Sequence, residues 1–416
     1  MEFLAWVLPK GEKMRMAKTR TSAYAFFGGL FLIFSLVLSG CAASVPQEVE
    51  DYLATHEKPL DLEKPLSDEV FGSSEGYQVF LAGESHSESK NLQAQKMLVR
   101  YFYEEKNVRT FLLEAGLGSG VFLNHYLQTG NEDDLKYYMQ QLEGVASYTR
   151  ETYDFYHWLC EYNASLPEDQ KLHVVGLDVD HQVTTAAKGL ALLMDDSAVL
   201  SDVAAEAVRN VREHAGGASL AEFVRIFWDN PVDMRKLFGE NNALAEQICQ
   251  NFEWTAQFYS EEESPANDFR DEVMMANFLF ILNDRPHETF FGEFGSEHIL
   301  QSACETDFGS VEDNRFGMRL DAEGSPVEGK VCSILYAYPK SDLLSNVFAG
   351  FGKGVNSTIF ESRADADAFF SLDEPGSPFT SGEYLVKGEV DAQATTTDFI
   401  QKVLVLCDSR ATTPYQ

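Results

Sequence analysis

The chain has 416 residues, 44% of them hydrophobic, which is enough for one large or two ordinary domains around a real core and is not the composition of a disordered tail. Its formal charge of −34 at pH 7, from 66 acidic against 32 basic side chains, makes a surface that repels nucleic acid and anionic lipid headgroups. Nucleic-acid partners and a polybasic membrane role are therefore excluded, and a covalent lipid is the route left to a membrane.

In chain order, the first element is a leader. Lys10, Lys13, Arg15, Lys18 and Arg20 precede the apolar run "AFFGGLFLIFSLVLSG", which stops at Cys41. Leu38-Ser39-Gly40-Cys41 reads as a lipobox, so residues 1–40 are predicted to be a lipoprotein signal peptide. Cys41 is then the acylated residue, and the protein is expected to be lipid-anchored to the cell envelope on its extracytoplasmic side. The run is also about long enough to be weighed as an uncleaved anchor, but the small residues and the Cys sit where a signal peptidase needs them. Residues 41–75, polar and punctuated by proline, are read as a tether with a short helix. Five further cysteines (Cys160, Cys249, Cys304, Cys332, Cys407) form no CxxC and are odd in number, so they are read mainly as small buried apolar residues with at most two disulfides.

Short β-rich runs follow: "YQVFLAG" at 77–83, "RTFLLEA" at 109–115, "KLHVVGLDV" at 171–179, "ETFFGEF" at 288–294, "KVCSILYAY" at 330–338 and "KVLVLCD" at 402–408. Several are apolar on both faces, as strands of a covered parallel sheet are. Amphipathic stretches at 88–105, 119–128 and 150–163 lie between the early ones. The alternation predicts an α/β fold, a layered, mostly parallel central sheet flanked by helices. Residues 185–285 carry helix pattern and no strand, and are read as a helical insertion lobe over the sheet edge.

Two familiar chemistries fail on context. A serine elbow, GxSxG, needs a strand before it and a helix after it. "GESHS" at 83–87 has that setting but ends in Ser87, and "GSSEG" at 72–76 matches the letters on the wrong side of the strand. "GLGSG" at 116–120 opens a helix after a strand, yet its spacing is GxGxG and the acids of "NEDDL" are not at the end of a second strand. A tight glycine turn that brings backbone close is the reading of that segment.

What recurs is an ionisable residue where a strand ends: Glu84 and His86, Glu114, Asp178 and Asp180 followed by His181, and His298. In an open parallel sheet the carboxyl ends of the strands line one crevice, where ligands bind. A carboxylate two residues from His86 can fix the imidazole's tautomer and raise its basicity, as the orienting partner of a base does. Asp180 taken singly is equally suited to capping the next helix. His125 and His157, inside helices, are read as partly buried structural side chains, and His173 as packed in its strand.

"GESH" at 83–86, "LLEAG" at 112–116, "LNHYLQTG" at 123–130, "RDEVMMAN" at 270–277 and "GEFGSEHI" at 292–299 resemble, in order and spacing, the erythromycin esterase-like family. That superfamily also holds haem-binding lipoproteins and metal-dependent peptidases. The resemblance covers the chain from about residue 76 to 416. It implies an α/β core with a helical lobe, a cleft between them, and hydrolysis of an ester or related acyl bond by water that a histidine deprotonates. Carried over residue by residue, it makes His86 the general base, Glu84 and Glu114 orienting or proton-handling carboxylates, and His298 the second essential histidine. Arg270 and Asn277 fall on one helix face with Met274 between them, so Arg270 can hold a carboxylate or an oxyanion, and Asp178 joins the set from its strand end.

Two departures set the chain apart from the macrolide esterases. "GESH" has one residue between its Glu and His where they usually have two. The arginine they tend to carry on the following helix is replaced by a choice among Gln95, Lys96 and Arg100. No cofactor is required in this reading. The rivals are a hydrolase that holds a divalent metal through Glu84, His86, Glu114 and His298, although HExxH is absent, and a lipoprotein that binds haem or another small ligand through His86 or His298 without catalysis.

Overall fold

The computed structural model describes residues 45–260, 267–303, 305–306, 309–310, 315–344, 348, 358–361, 366–382, 384 and 394–416; the leader and Cys41 lie outside the described residues, as does Cys304. The described residues form ten strands: β1 Lys58–Pro59, β2 Val79–Glu84, β3 Thr110–Gly116, β4 His173–Asp178, β5 Phe290–Gly295, β6 Glu305–Thr306, β7 Gly309–Ser310, β8 Val331–Ala337, β9 Ala368–Ser371 and β10 Lys402–Val405. Eight of them form one sheet in the order β1-β9-β10-β8-β2-β5-β3-β4, while β6 and β7 pair only with each other. From β10 to β4 every pairing is parallel, and β9 is antiparallel to both its neighbours. The expected α/β fold with a mostly parallel sheet is what the chain adopts.

Alternation along each strand divides the core into two layers. Val79 and Leu81 of β2 join Leu112, Phe290, Phe294, Val331 and Leu335 on one face of the sheet. Phe80 and Ala82 join Phe111, Phe291, Ile334 and Tyr336 on the other. The helix Lys90–Lys106 covers the second face because Ala94, Met97, Leu98, Tyr101 and Phe102 recur at helical spacing and are buried; it ends at Asn107, whose left-handed φ of 55° suits a cap. Phe291 stacks between the rings of Phe102 and Phe111, with centroids at 4.4 and 5.6 Å.

The topology places a crevice. Leaving β2, the chain runs toward β3 and β4; leaving β5, which returns to lie between β2 and β3, it runs the other way to β8 and β10. The reversal falls at β2 and β5, so the loops after those strands diverge and leave an opening at their carboxyl ends.

The described residues between β4 and β5 are helices and connecting turns. Their apolar faces, including Phe223, Phe227, Ile248 and Phe278, belong to the same core layer as Leu112 and Phe290 of the sheet. No described helix is long and apolar enough to cross a membrane. The tether expected over 41–75 is corrected from residue 45 onward. Val49, Tyr52 and Leu53, spaced as one helical face, are buried in the helix Gln47–His56, β1 pairs with β9, and Phe71 is fully buried. His173 is likewise exposed rather than packed, because it is the first residue of the edge strand. Cys160, Cys249, Cys332 and Cys407 are buried, as small apolar side chains are.

Candidate functional site

Two groups of ionisable side chains occupy the crevice. The first is built locally at the end of β2. His86 Nδ1 donates to Glu84 Oε1, and Asn91 Nδ2 donates to Glu84 Oε2 and to the Ser85 carbonyl, the latter at 2.7 Å. Tyr338, just past β8, closes the set: its hydroxyl donates to Asn91 Oδ1 at 2.7 Å and accepts the Ser85 N–H at 2.9 Å. Ser87, next in the chain, takes a left-handed φ of 72°, a conformation that costs a non-glycine residue about 1–3 kcal/mol. Its carbonyl accepts the Thr412 N–H at 2.8 Å, so the C-terminal segment holds the strained turn. Glu84 fixes the imidazole through Nδ1 and leaves Nε2 without a hydrogen-bond partner among the described residues, on a side chain that is 58% exposed. The Glu84 charge and hydrogen bond raise the His86 pKa to about 9, against a smaller opposing effect of burial.

The second group is assembled from β3, β4, β5 and the helix Asn267–Asp284. Arg270 Nη2 donates to Glu114 Oε1 at 2.8 Å, and its Nε reaches Asp178 Oδ1 and Oδ2 at 3.1 and 3.2 Å. Glu114 Oε2 accepts the Gly295 N–H at 2.7 Å. His298 stands behind, with Nε2 at 3.5 Å from Glu114 Oε1 and Nδ1 at 2.6 Å from Asp271 Oδ1. Asp271, fully buried, also accepts the Phe316 N–H at 2.7 Å. Burial works against charge on His298, but Asp271 and Glu114 outweigh it and raise its pKa to about 10. Burial likewise opposes ionisation of Glu114, yet His298, Arg270 and His86 hold its carboxyl well below the usual range.

The two groups meet at Gly295. A Cβ on that residue would lie 3.6 Å from Glu114 Oε2 and His298 Cδ2 and 3.7 Å from His86 Cε1. Glu84, His86, Glu114 and Arg270 line a cavity of about 600 Å³, walled further by Gln95, Tyr138, Phe155, Tyr156, Glu293 and Thr412. His298 does not line it, and Asp178 is fully buried behind Arg270. Arg270 thus holds carboxylates of its own chain and keeps Nη1 without a hydrogen-bond partner among the described residues. Asn277, on the same helix face, turns away to bond the Leu177 carbonyl and Asn251, pinning the helix to β4.

Other candidates resolve by position. Asp180 is buried, accepts from Asn251 Nδ2 at 2.7 Å through Oδ2, and packs against Gly116, the N-cap of the helix Leu117–Thr129, with Oδ1 left without a hydrogen-bond partner among the described residues. "GLGSG" is a packing device: a Cβ on Gly118 would lie 2.7 Å from the Ala186 carbonyl oxygen, so the glycine lets that helix sit against Val183–Leu192. Of the three candidates on the helix after β2, Gln95 lines the cavity, whereas Lys96 lies over Trp158 and Arg100 beside Glu104. Among the described residues no three His, Cys, Asp or Glu side chains are grouped to hold a metal. The carboxylates a metal would need are already bonded to Arg270, Asn91 and backbone N–H groups. Sequence reasoning missed Asp271, Asn91, Tyr338 and Glu293. The signal for Glu293 was present, an acid inside the otherwise apolar strand "FFGEFG", and that for Asp271 was its place beside Arg270.

The comparisons with known proteins agree with the motifs. Residues 103–293 match the erythromycin esterase family, a span that holds Glu114, Asp178, Arg270 and Glu293. No curated protein matches the chain. Three solved structures are similar in fold over most of their lengths. A Bacillus cereus protein is 14% identical at a TM-score of 0.61, over 89% of this chain and 99% of that one. A succinoglycan biosynthesis protein is 15% identical at 0.60, over 90% and 99%. A mutant of erythromycin esterase EreC in its open conformation is 14% identical at 0.58, over 86% and 99%.

Proposed function

We propose that this erythromycin esterase-like chain is a hydrolase in which His86, held by Glu84, activates water to cleave an ester or related acyl bond of a small molecule. The match to a family of esterases supports the hydrolase class. The observation that carries the mechanism is the Glu84–His86 pair opening on the cavity with Nε2 free. Glu84 accepts from Nδ1, so Nε2 is the nitrogen that takes a proton from water about 3 Å away and orients it for attack. Arg270, clamped by Glu114 and Asp178, lines the same cavity, where its guanidinium stabilises the negative charge that develops on the carbonyl oxygen. His298 acts through Glu114: with Asp271 it supplies a buried cation that keeps Glu114 ionised and in place against Arg270. The experiment is an ester panel on the purified protein, with metal content and haem spectrum recorded alongside. Turnover that resists chelation supports the reading, and an inactive protein carrying a stoichiometric metal or haem overturns it.

The same reading places the enzyme at a membrane through Cys41, on the extracytoplasmic side, as the lipobox proposes. Cys41→Ser abolishes incorporation of labelled fatty acid if the lipid anchor exists; continued labelling rejects it.

A further inference from the structure

Glu293 is an acid that the base mechanism leaves unused. It sits in β5 between Gly292 and Phe294, in a strand whose first five residues are all buried, and is itself 8% exposed. Register fixes its neighbours. Glu293 pairs with Ala82 of β2, and side chains two apart on a strand share a face, so Glu293 lies on the face of Ala82 and Glu84. Tyr336 of β8 projects from that face too and donates its hydroxyl to Glu293 Oε2 at 2.7 Å. The other oxygen, Oε1, has no hydrogen-bond partner among the described residues and is not sealed from solvent, and the carboxyl lines the same cavity as His86.

No Lys or Arg contacts this carboxyl in the described structure, and the groups that face it are the Glu84 carboxylate, the His86 imidazole and the hydroxyl of Tyr336, with Tyr338 beyond. A buried carboxylate without a cation is costly, and a like charge nearby makes it more so, so the group keeps its proton. Burial, then Glu84, push its pKa well above the usual range, although Tyr336 and His86 act the other way. The site therefore contains two opposed proton carriers: an exposed base and a buried neutral acid. An acid and a base whose environments separate their protonation are the pair that acyl hydrolysis uses.

We infer that Glu293 is the general acid of the reaction, giving its proton to the leaving alkoxide of the ester. This rests on the hydrolase reading above. As His86 Nε2 takes a proton from water, the new C–O bond forms and the carbonyl electrons move onto oxygen. When the tetrahedral intermediate collapses, the bond to the alcohol oxygen breaks and that oxygen takes the proton from Glu293. The products are one carboxylic acid and one alcohol; transfer of the His86 proton back to Glu293 restores both groups.

The test compares esters of a poorly leaving alkyl alcohol and of nitrophenol, since nitrophenolate departs without a proton. With Glu293→Gln, turnover of the alkyl ester falls by about 10²- to 10³-fold, within the range of general acid catalysis, and the aryl ester changes by less than about threefold. Tyr336→Phe, which keeps the acid and removes its tether, shows the same leaving-group dependence at smaller size. In infrared spectra, wild type at neutral pH carries a protonated-carboxyl band that Glu293→Gln lacks. Equal loss on both esters, or no loss on either, overturns the assignment and leaves Glu293 a structural group. If wild type cleaves neither ester, the hydrolase reading falls and the acid role with it. The infrared band distinguishes the cases, because it reports the protonation of Glu293 without any turnover.

Discussion

The two histidines of the crevice are held by carboxylates in the same manner and are opposite in character. His86 is 58% exposed, its partner Glu84 is two residues away, and its second nitrogen faces the cavity. His298 is 7% exposed, its partners Glu114 and Asp271 come from β3 and from the helix Asn267–Asp284, and both its nitrogens are engaged. A histidine must release and take up a proton to be a base, which requires a free nitrogen and access. One locked between two carboxylates and itself buried is a fixed cation, and its contribution is to hold other groups in place.

The largest expected effect separates the two in activity. His86→Ala lowers ester turnover by roughly 10²- to 10⁴-fold, the usual range for loss of a general base, while the urea midpoint stays close to wild type. If stability falls in parallel, His86 belongs with His298 and the contrast collapses.

Next comes the buried pair. Asp271→Ala leaves the His298 cation with one partner and costs about 3–5 kcal/mol in urea unfolding, the penalty for breaking a buried ion pair. The sign with pH follows from the raised pKa of about 10. The stabilisation is complete below the unfolded histidine value of about 6.5 and is lost as pH rises through about 10. An Asp271→Ala protein as stable as wild type at pH 6 would falsify the locked-cation description.

A third measurement sharpens the base. Its pKa of about 9 means that His86 is mostly charged at pH 7, and a charged imidazole cannot accept a proton. Turnover of an aryl ester, which needs no leaving-group acid, therefore rises about tenfold per pH unit well below pH 9 and gains roughly fiftyfold between pH 7 and 9. A profile already flat at pH 7 contradicts the role of Glu84.

The smallest effect concerns the support of the pair. Asn91→Ala removes a donor from the Glu84 carboxylate and, at about 1.5–3 kcal/mol for a hydrogen bond to a charged group, lowers turnover by roughly ten- to hundredfold. Because Glu84 then lacks its second anchor, the pH midpoint shifts as well, which a purely structural asparagine would not do.

Local pattern carried much of this protein. Alternation in "YQVFLAG" and the runs after it placed the strands, and the two-residue spacing of Glu84 and His86 placed a base beside its carboxylate, because a side-chain period of two is a property of the extended chain itself. The strand-end rule then put Glu114, Asp178 and His298 at the same end of the sheet. What the sequence could not decide is which of these groups meets solvent. That depends on the insertion of β5 between β2 and β3, a pairing between segments some 200 residues apart, which brings Glu293 beside Glu84 and Gly295 beside Glu114. It depends equally on how the helix Asn267–Asp284 docks, since neighbouring residues of one turn, Arg270 and Asp271, reach different partners. Burial sets whether an acid keeps its proton and whether a histidine can lose one, and burial is decided only when distant segments pack.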